Sequence, residues 1–250
     1  YDGFFKFEWA ADNEVAAGWH DVKVSALDEN GGVAVYGEGK IYVPHKTQYA
    51  FISDIDDTVM VSHSAKIYRR LRQLFIKNPR TRKTFPSVKN HYQALANAHT
   101  QSDQPNPFFY VSSSEWNLYR FITQFAEINE LPKAVLLLKD IKTSLTDLFI
   151  TGRGDHNHKF EKIKHILEFY PELQYVLLGD DSQQDPKLYE AICKIFPLHI
   201  KAIYIRQVGS SKKQATEKIL DNITSLDVAV CYFKSSKEAI AHSKAIGLIE

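Results

Sequence analysis

From Gln48 onward the chain repeats one pattern, a short apolar run followed by a stretch with helical spacing. The runs occupy residues 49–52, 108–111, 134–138, 175–178, 200–205 and 228–233. Between several of them apolar residues return every three or four positions: Leu118, Phe121, Ile122 and Phe125; Phe160, Ile163, Leu167 and Tyr170; Leu188, Ile192 and Ile195. Runs this short, apolar without alternation, suit strands buried on both faces, and the stretches between them suit amphipathic helices. The pattern predicts an α/β fold, a mostly parallel sheet with helices on both faces. In such sheets the chemistry sits beyond the carboxyl ends of the strands, so those ends are read first.

The stretch before Gln48 has a different texture. Residues 4–9 read as a strand, Val22, Val24 and Ala26 alternate with polar partners, and Val33, Val35, Ile41 and Val43 share one phase. The segment 28–32, with Asp28, Asn30, Gly31 and Gly32, supplies the turn between them. The expected organisation is a small antiparallel β unit over 1–46 and an α/β domain over 47–250. A basic helical insert over 61–100 separates the first two runs of that domain.

Three acids crowd the end of the first run, Asp54, Asp56 and Asp57. Such a cluster beside a buried strand is costly unless a cation offsets the repulsion, and a hard divalent ion with oxygen ligands does so. Asp54 and Asp56 lie two apart, so in extended backbone both face one side. One can attack phosphorus while the other handles the leaving-group proton; the plainer alternative is a solvated acidic turn. The second run ends at Ser112, where a hydroxyl near a helix start can hold a phosphoryl oxygen. Ser112 and Glu115 also have the spacing of a helix capping box. Lys159 stands in the first turn expected for the next helix, a position that opposes the helix dipole unless an acidic site faces it; a plain surface lysine is the alternative. The run at 175–178 leads into Gly179, Asp180 and Asp181, with Asp180 favoured as metal ligand, and Asp185-Pro186 reads as a helix cap whose carboxylate can also touch the site.

Taken in order, these elements resemble the four-part signature of haloacid dehalogenase-type phosphatases. Longer blocks narrow the resemblance: ISDIDDTVM from Ile52, FYVSSSEWNLY from Phe109, HKFEKI from His158, LLGDDSQQDPKLY from Leu177 and AIYIRQV from Ala202. GWHDVKV from Gly18 and HSKAIGLI from His242 extend it over nearly the whole chain. Together they are similar to the catalytic domain of actin-patch-type phosphatidate phosphatases and their bacterial relatives, themselves distantly lipin-like. The resemblance implies a haloacid dehalogenase-like Rossmannoid fold and a Mg²⁺-dependent phosphatase. It makes Asp54 the nucleophile and a metal ligand, and Asp56 the general acid/base, lending its carbonyl to the metal. It gives Ser112 to the phosphoryl group, Lys159 to charge stabilisation and Asp180 to Mg²⁺. Glu115 stands where the family pattern has proline, and Asp181 where it has serine, which leaves open which neighbouring acids touch the metal.

Other features bound the reading. Of the 250 residues, 44% are hydrophobic, enough for one sizeable core. No Asp or Glu occurs between Thr58 and Ser102, whereas Lys66, Arg69, Arg70, Arg72, Lys77, Arg80, Arg82, Lys83 and Lys89 all do. The net charge of +1 argues neither way about a nucleic-acid partner, and none is expected; the basic flank suits docking of something anionic. Residues 65–77 combine these charges with an apolar stripe of Ile67, Tyr68, Leu71, Leu74 and Phe75. That helix suits packing on the domain, and it also suits peripheral contact with an anionic membrane. Two cysteines in apolar surroundings and no apparent secretory signal point to the cytoplasm, although a start at Tyr1 points to residues upstream. Arg153-Gly154-Asp155 and the pair His156 and His158 carry no assigned role. Neither cysteine has the spacing of a cysteine phosphatase, and no phosphate-binding glycine loop occurs. The expected substrate is phosphatidate; the alternatives are a soluble phosphomonoester or a module that binds phosphatidate without turnover.

Overall fold

The computed structural model describes residues 13–44, 49–55, 87–101, 104–139 and 154–250. The strand expected at 4–9, Asp56 and Asp57, the basic stripe at 65–77, and the Arg153 and His156 side chains lie outside them. Chain contacts divide the molecule into two compact units, Tyr1–Lys46 and Thr47–Glu250.

In the first unit β1 (Gly18–Leu27) and β2 (Val33–Val43) pair antiparallel. Asp28 builds the turn between them, its carboxylate accepting from the amides of Asn30 and Gly32 at 2.9 and 2.8 Å. Gly31 takes a φ of 80°, a left-handed backbone that glycine adopts without strain. Trp19 and Tyr42 pack across the pair with ring centroids 5.1 Å apart.

Every apolar run of the second unit is a strand: β3 (Tyr49–Asp54), β4 (Phe108–Glu115), β5 (Ala134–Lys139), β6 (Gln174–Asp180), β7 (Ile200–Arg206) and β8 (Ala229–Phe233). Among the described residues these form one sheet in the order β5-β4-β3-β6-β7-β8, each neighbouring pair parallel. Helices α1 (Val88–Ala96), α2 (Tyr119–Ile128), α3 (Gly154–Phe169), α4 (Asp185–Ile195), α5 (Lys213–Thr224) and α6 (Ser236–Ala245) cover it. The alternation of side chains along the strands yields two buried clusters, one per face. Phe51, Phe108, Val176, Leu178 and Tyr204 meet α1, α2 and α6, while Ile52, Phe109, Leu177 and Ile203 meet α3, α4 and α5. The fold is thus the α/β, Rossmann-like sheet expected, and the order reverses between β3 and β6. At such a switch point the connections leave in opposite directions and open a crevice at the strand ends. Among the described residues no helix is long and apolar enough to cross a membrane.

Candidate active site

The acids gather at the switch point. Asp54 ends β3 and Asp180 ends β6, the two strands that flank the reversal. Asp185 begins α4, and all three side chains are buried, at 2%, 0% and 2% exposure. One carboxylate oxygen from each lies within 4.8 Å of the others. Lys159 reaches in from α3, its Nζ 3.1 Å from Asp54 Oδ1 and 3.4 Å from Asp185 Oδ1. The helix starts at Gly154, so Lys159 sits a turn further in than the sequence suggested. There it continues the buried stripe of Ile163, Ile166 and Leu167, as the top residue of a face that otherwise packs on the sheet.

One ammonium among three buried carboxylates leaves the cluster itself net negative. Holding that many acids ionised without water requires further positive charge. The donors are all carboxylate oxygens, the set that hard divalent cations prefer, so the residues fit such an ion. Asp54, Asp180 and Asp185 are the described residues that could hold it.

Asp185 is placed here rather than at a helix cap. Gln184 is the N-cap of α4, no side chain caps it, and Pro186 takes the first turn. The carboxylate of Asp185 instead approaches Lys159 and, through Oδ2, the amide of Asp180 at 3.4 Å. Asp181 turns the other way: Oδ1 accepts from the Val208 amide at 2.8 Å and Oδ2 from the Tyr232 hydroxyl at 2.6 Å. Both its oxygens are engaged at the ends of β7 and β8, which leaves Asp180 and Asp185 as the acids of this block that face Asp54.

Ser112 is fully buried on β4, one residue past Val111, which pairs with Asp54 across the ladder. The strand runs on to Glu115 and then tightens into a 3₁₀ turn at Trp116–Leu118, so Ser112 caps no helix. Its hydroxyl accepts from the Ser114 amide at 2.8 Å. The structure therefore gathers Asp54, Lys159 and Asp180 into one cluster and sets Ser112 one strand over. Asp56 falls outside the described residues.

Residues without a sequence signal complete the surroundings. Ser53 and Tyr92 hydrogen bond behind Asp54. Arg206, at the end of β7, stacks over Phe233 at 4.8 Å and donates to Ser236 Oγ at 2.8 Å. Only Asp185 had a cue, since it read as a helix cap with a further reach to the site; the structure keeps the reach and gives the cap position to Gln184.

A parallel sheet reversing over a buried acidic cluster with a lysine defines the class, a Rossmann-like α/β protein with a cation-competent site. Residues 49–207 match the family model for the phosphatidate phosphatase APP1 catalytic domain. The chain belongs to that family, one of phosphoric monoester hydrolases. It is 27% identical over 179 residues to phosphatidate phosphatase APP1 of Saccharomyces cerevisiae, an alignment covering 70% of this chain and 29% of that protein. It is 24% identical over 174 residues to the uncharacterized protein C29B5.04c of Schizosaccharomyces pombe, covering 67% of this chain and 27% of that one. The matched regions are thus under a third of each relative's length. No solved structure matches the chain.

Proposed function

We propose that the chain is a Mg²⁺-dependent phosphatase working through a phosphoryl group carried on Asp54, with phosphatidate as substrate and diacylglycerol as product. The buried cluster of Asp54, Lys159, Asp180 and Asp185 at the switch point, in a member of this family, is the observation that supports it most. Asp54 attacks phosphorus in line and the glyceride oxygen leaves. Asp56, in the role its motif implies, protonates that alkoxide, then takes a proton from the water that splits the acyl phosphate. Phosphate departs and the Asp54 carboxylate is restored, one difficult displacement having been divided into two easier ones.

Lys159 pairs with the Asp54 carboxylate and aims it, and offsets charge as the phosphoryl group arrives. Ser112 takes up phosphoryl oxygens from the neighbouring strand. Asp54 and Asp180 would hold the cation, with the carbonyl of Asp56 in the role its motif implies, and Asp185 fixes Lys159 beside them. When bound, Mg²⁺ supplies charge neutralisation and a fixed geometry for the phosphoryl group. The enzyme in this reading is cytoplasmic and meets its lipid at an anionic membrane surface through the basic 61–100 segment.

Phosphate release from dioleoylphosphatidate and from a soluble phosphomonoester, with Mg²⁺ and with EDTA, tests the proposal. The expected result is Mg²⁺-dependent release with preference for the lipid, and a loss of at least about 10³-fold in Asp54→Asn, which still folds. Release untouched by EDTA or by Asp54→Asn contradicts it. Preference for the soluble ester, or binding of phosphatidate without release, selects one of the two alternatives.

A further inference from the structure

We propose that Tyr92 and Ser53 form a buried hydrogen-bond relay that fixes the main chain of Asp54 and so positions its carboxylate. The inference rests on Asp54 being the nucleophile. Ser53 precedes Asp54 in β3, and alternation sends its side chain to the opposite face of the sheet. Its hydroxyl lies 2.9 Å from the carbonyl oxygen of Asp54 and 2.8 Å from the phenol oxygen of Tyr92 on α1.

The direction of the relay follows from proton counting. A carbonyl oxygen can only accept, and a serine hydroxyl has a single proton. Ser53 therefore donates to Asp54 and accepts from Tyr92. Burial, the dominant cause, raises the phenol well above its ordinary pKa, so it stays a donor at any working pH. Ser53 and Tyr92 are enclosed, at 0% and 3% exposure, so no water competes for these bonds.

The location gives the relay its purpose. Register pairing of β3 with β6 ends at Ser53, and with β4 at Asp54. Asp54 is thus the point where the sheet stops ordering the chain, and a nucleophile placed there needs another restraint. The helix carrying Tyr92 is itself wedged on the sheet, the Tyr92 ring lying 5.6 Å from that of Phe108. Ser53 and Tyr92 are positioning residues: they face away from the acidic cluster and act through the peptide of Asp54.

Steady-state kinetics on dioleoylphosphatidate micelles with Mg²⁺ test this in Tyr92→Phe, Ser53→Ala and the double variant, with thermal melts alongside. Each single change is expected to lower kcat about tenfold with KM within about twofold, as a misaimed nucleophile does. The double variant is expected to be no slower than the slower single one, because the two groups act in series. Singles with wild-type kcat, or losses that multiply in the double variant, overturn the relay, as does a fall explained wholly by less folded enzyme. Tyr92→Phe decides alone should Ser53→Ala fail to fold. Asp54→Asn separates the two ideas. If it is dead while Ser53→Ala and Tyr92→Phe are normal, the relay fails and the nucleophile stands; if it turns over normally, both fail.

Discussion

Asp180 and Asp181 are adjacent, one the last residue of β6 and the other just past it, yet they take different tasks. Asp180 faces Asp54, while both oxygens of Asp181 are taken by Val208 and Tyr232. The sequence showed an acid pair at a strand end but not this division, because it depends on which donors β7 and β8 present. Asp180→Asn should raise the Mg²⁺ needed for half-maximal activity by about 10–100-fold, as loss of a metal contact does. Asp181→Asn should leave that requirement alone and lower stability by about 1–3 kcal/mol, since it disturbs a buried hydrogen-bonded group. Mg²⁺ titrations and melts on both variants check it, and a shift in Mg²⁺ requirement for Asp181→Asn would contradict it. Asp54 and Asp180 stood out because acid-rich strand ends are a local signal, whereas Lys159 alone read as a surface lysine and was picked out by the order of the motifs. Ser53 and Tyr92 were not legible, because their pairing spans thirty-nine residues and only folding brings it about.

Elements followed from periodicity wherever they were long and apolar, which is why all six strands of the second unit match the runs read from sequence. The helices α1, α5 and α6 were not singled out from periodicity, and all three pack on the sheet. The junction of β6 with α4 shows how an element delivers a side chain. Gly179 faces α4, and a Cβ there would lie 2.8 Å from Asp185 Oδ2 and 2.8 Å from Tyr189 Cε2. Tyr189 is fixed in turn by its bond to the Leu178 carbonyl at 2.9 Å, so it cannot retreat without losing that partner. Gly179→Ala should therefore push α4 outward and draw Asp185 off Lys159. A stability loss of about 1–3 kcal/mol is expected from the overpacking, together with reduced activity at limiting Mg²⁺. Wild-type melting and wild-type Mg²⁺ dependence in that variant would show that the close approach is not needed.

The molecule as a whole should register pH through a buried histidine remote from the acidic cluster. His91 on α1 meets Ser243 on α6 at 2.9 Å, and Ser243 meets Tyr204 of β7 at 2.7 Å, with His242 also on Tyr204. Burial first, then the charge of Arg206 and the proximity of His242, lowers the His91 pKa from 6.5 to about 3. The unfolded chain thus takes up a proton at a pH where the folded one refuses it. Stability from this group is intact above pH 6.5 and erodes as pH falls toward 3. The loss over that window is about 5 kcal/mol. Denaturant unfolding between pH 7 and pH 4 should show a shallower decline in His91→Gln than in the wild type, and equal slopes would contradict the account. None of this was legible in the sequence, where the histidine is one of ten and its burial depends on two helices meeting on one face of the sheet.

The most direct measurement asks whether Asp54 becomes phosphorylated during turnover. Enzyme mixed with phosphatidate and Mg²⁺ is quenched in acid and treated with borohydride, which reduces an acyl phosphate to an alcohol, and the peptide containing Asp54 is weighed by mass spectrometry. The predicted result is homoserine at position 54, appearing only when substrate and Mg²⁺ are both present. An unaltered aspartate at that position, while phosphate is being released at full rate, would contradict the mechanism.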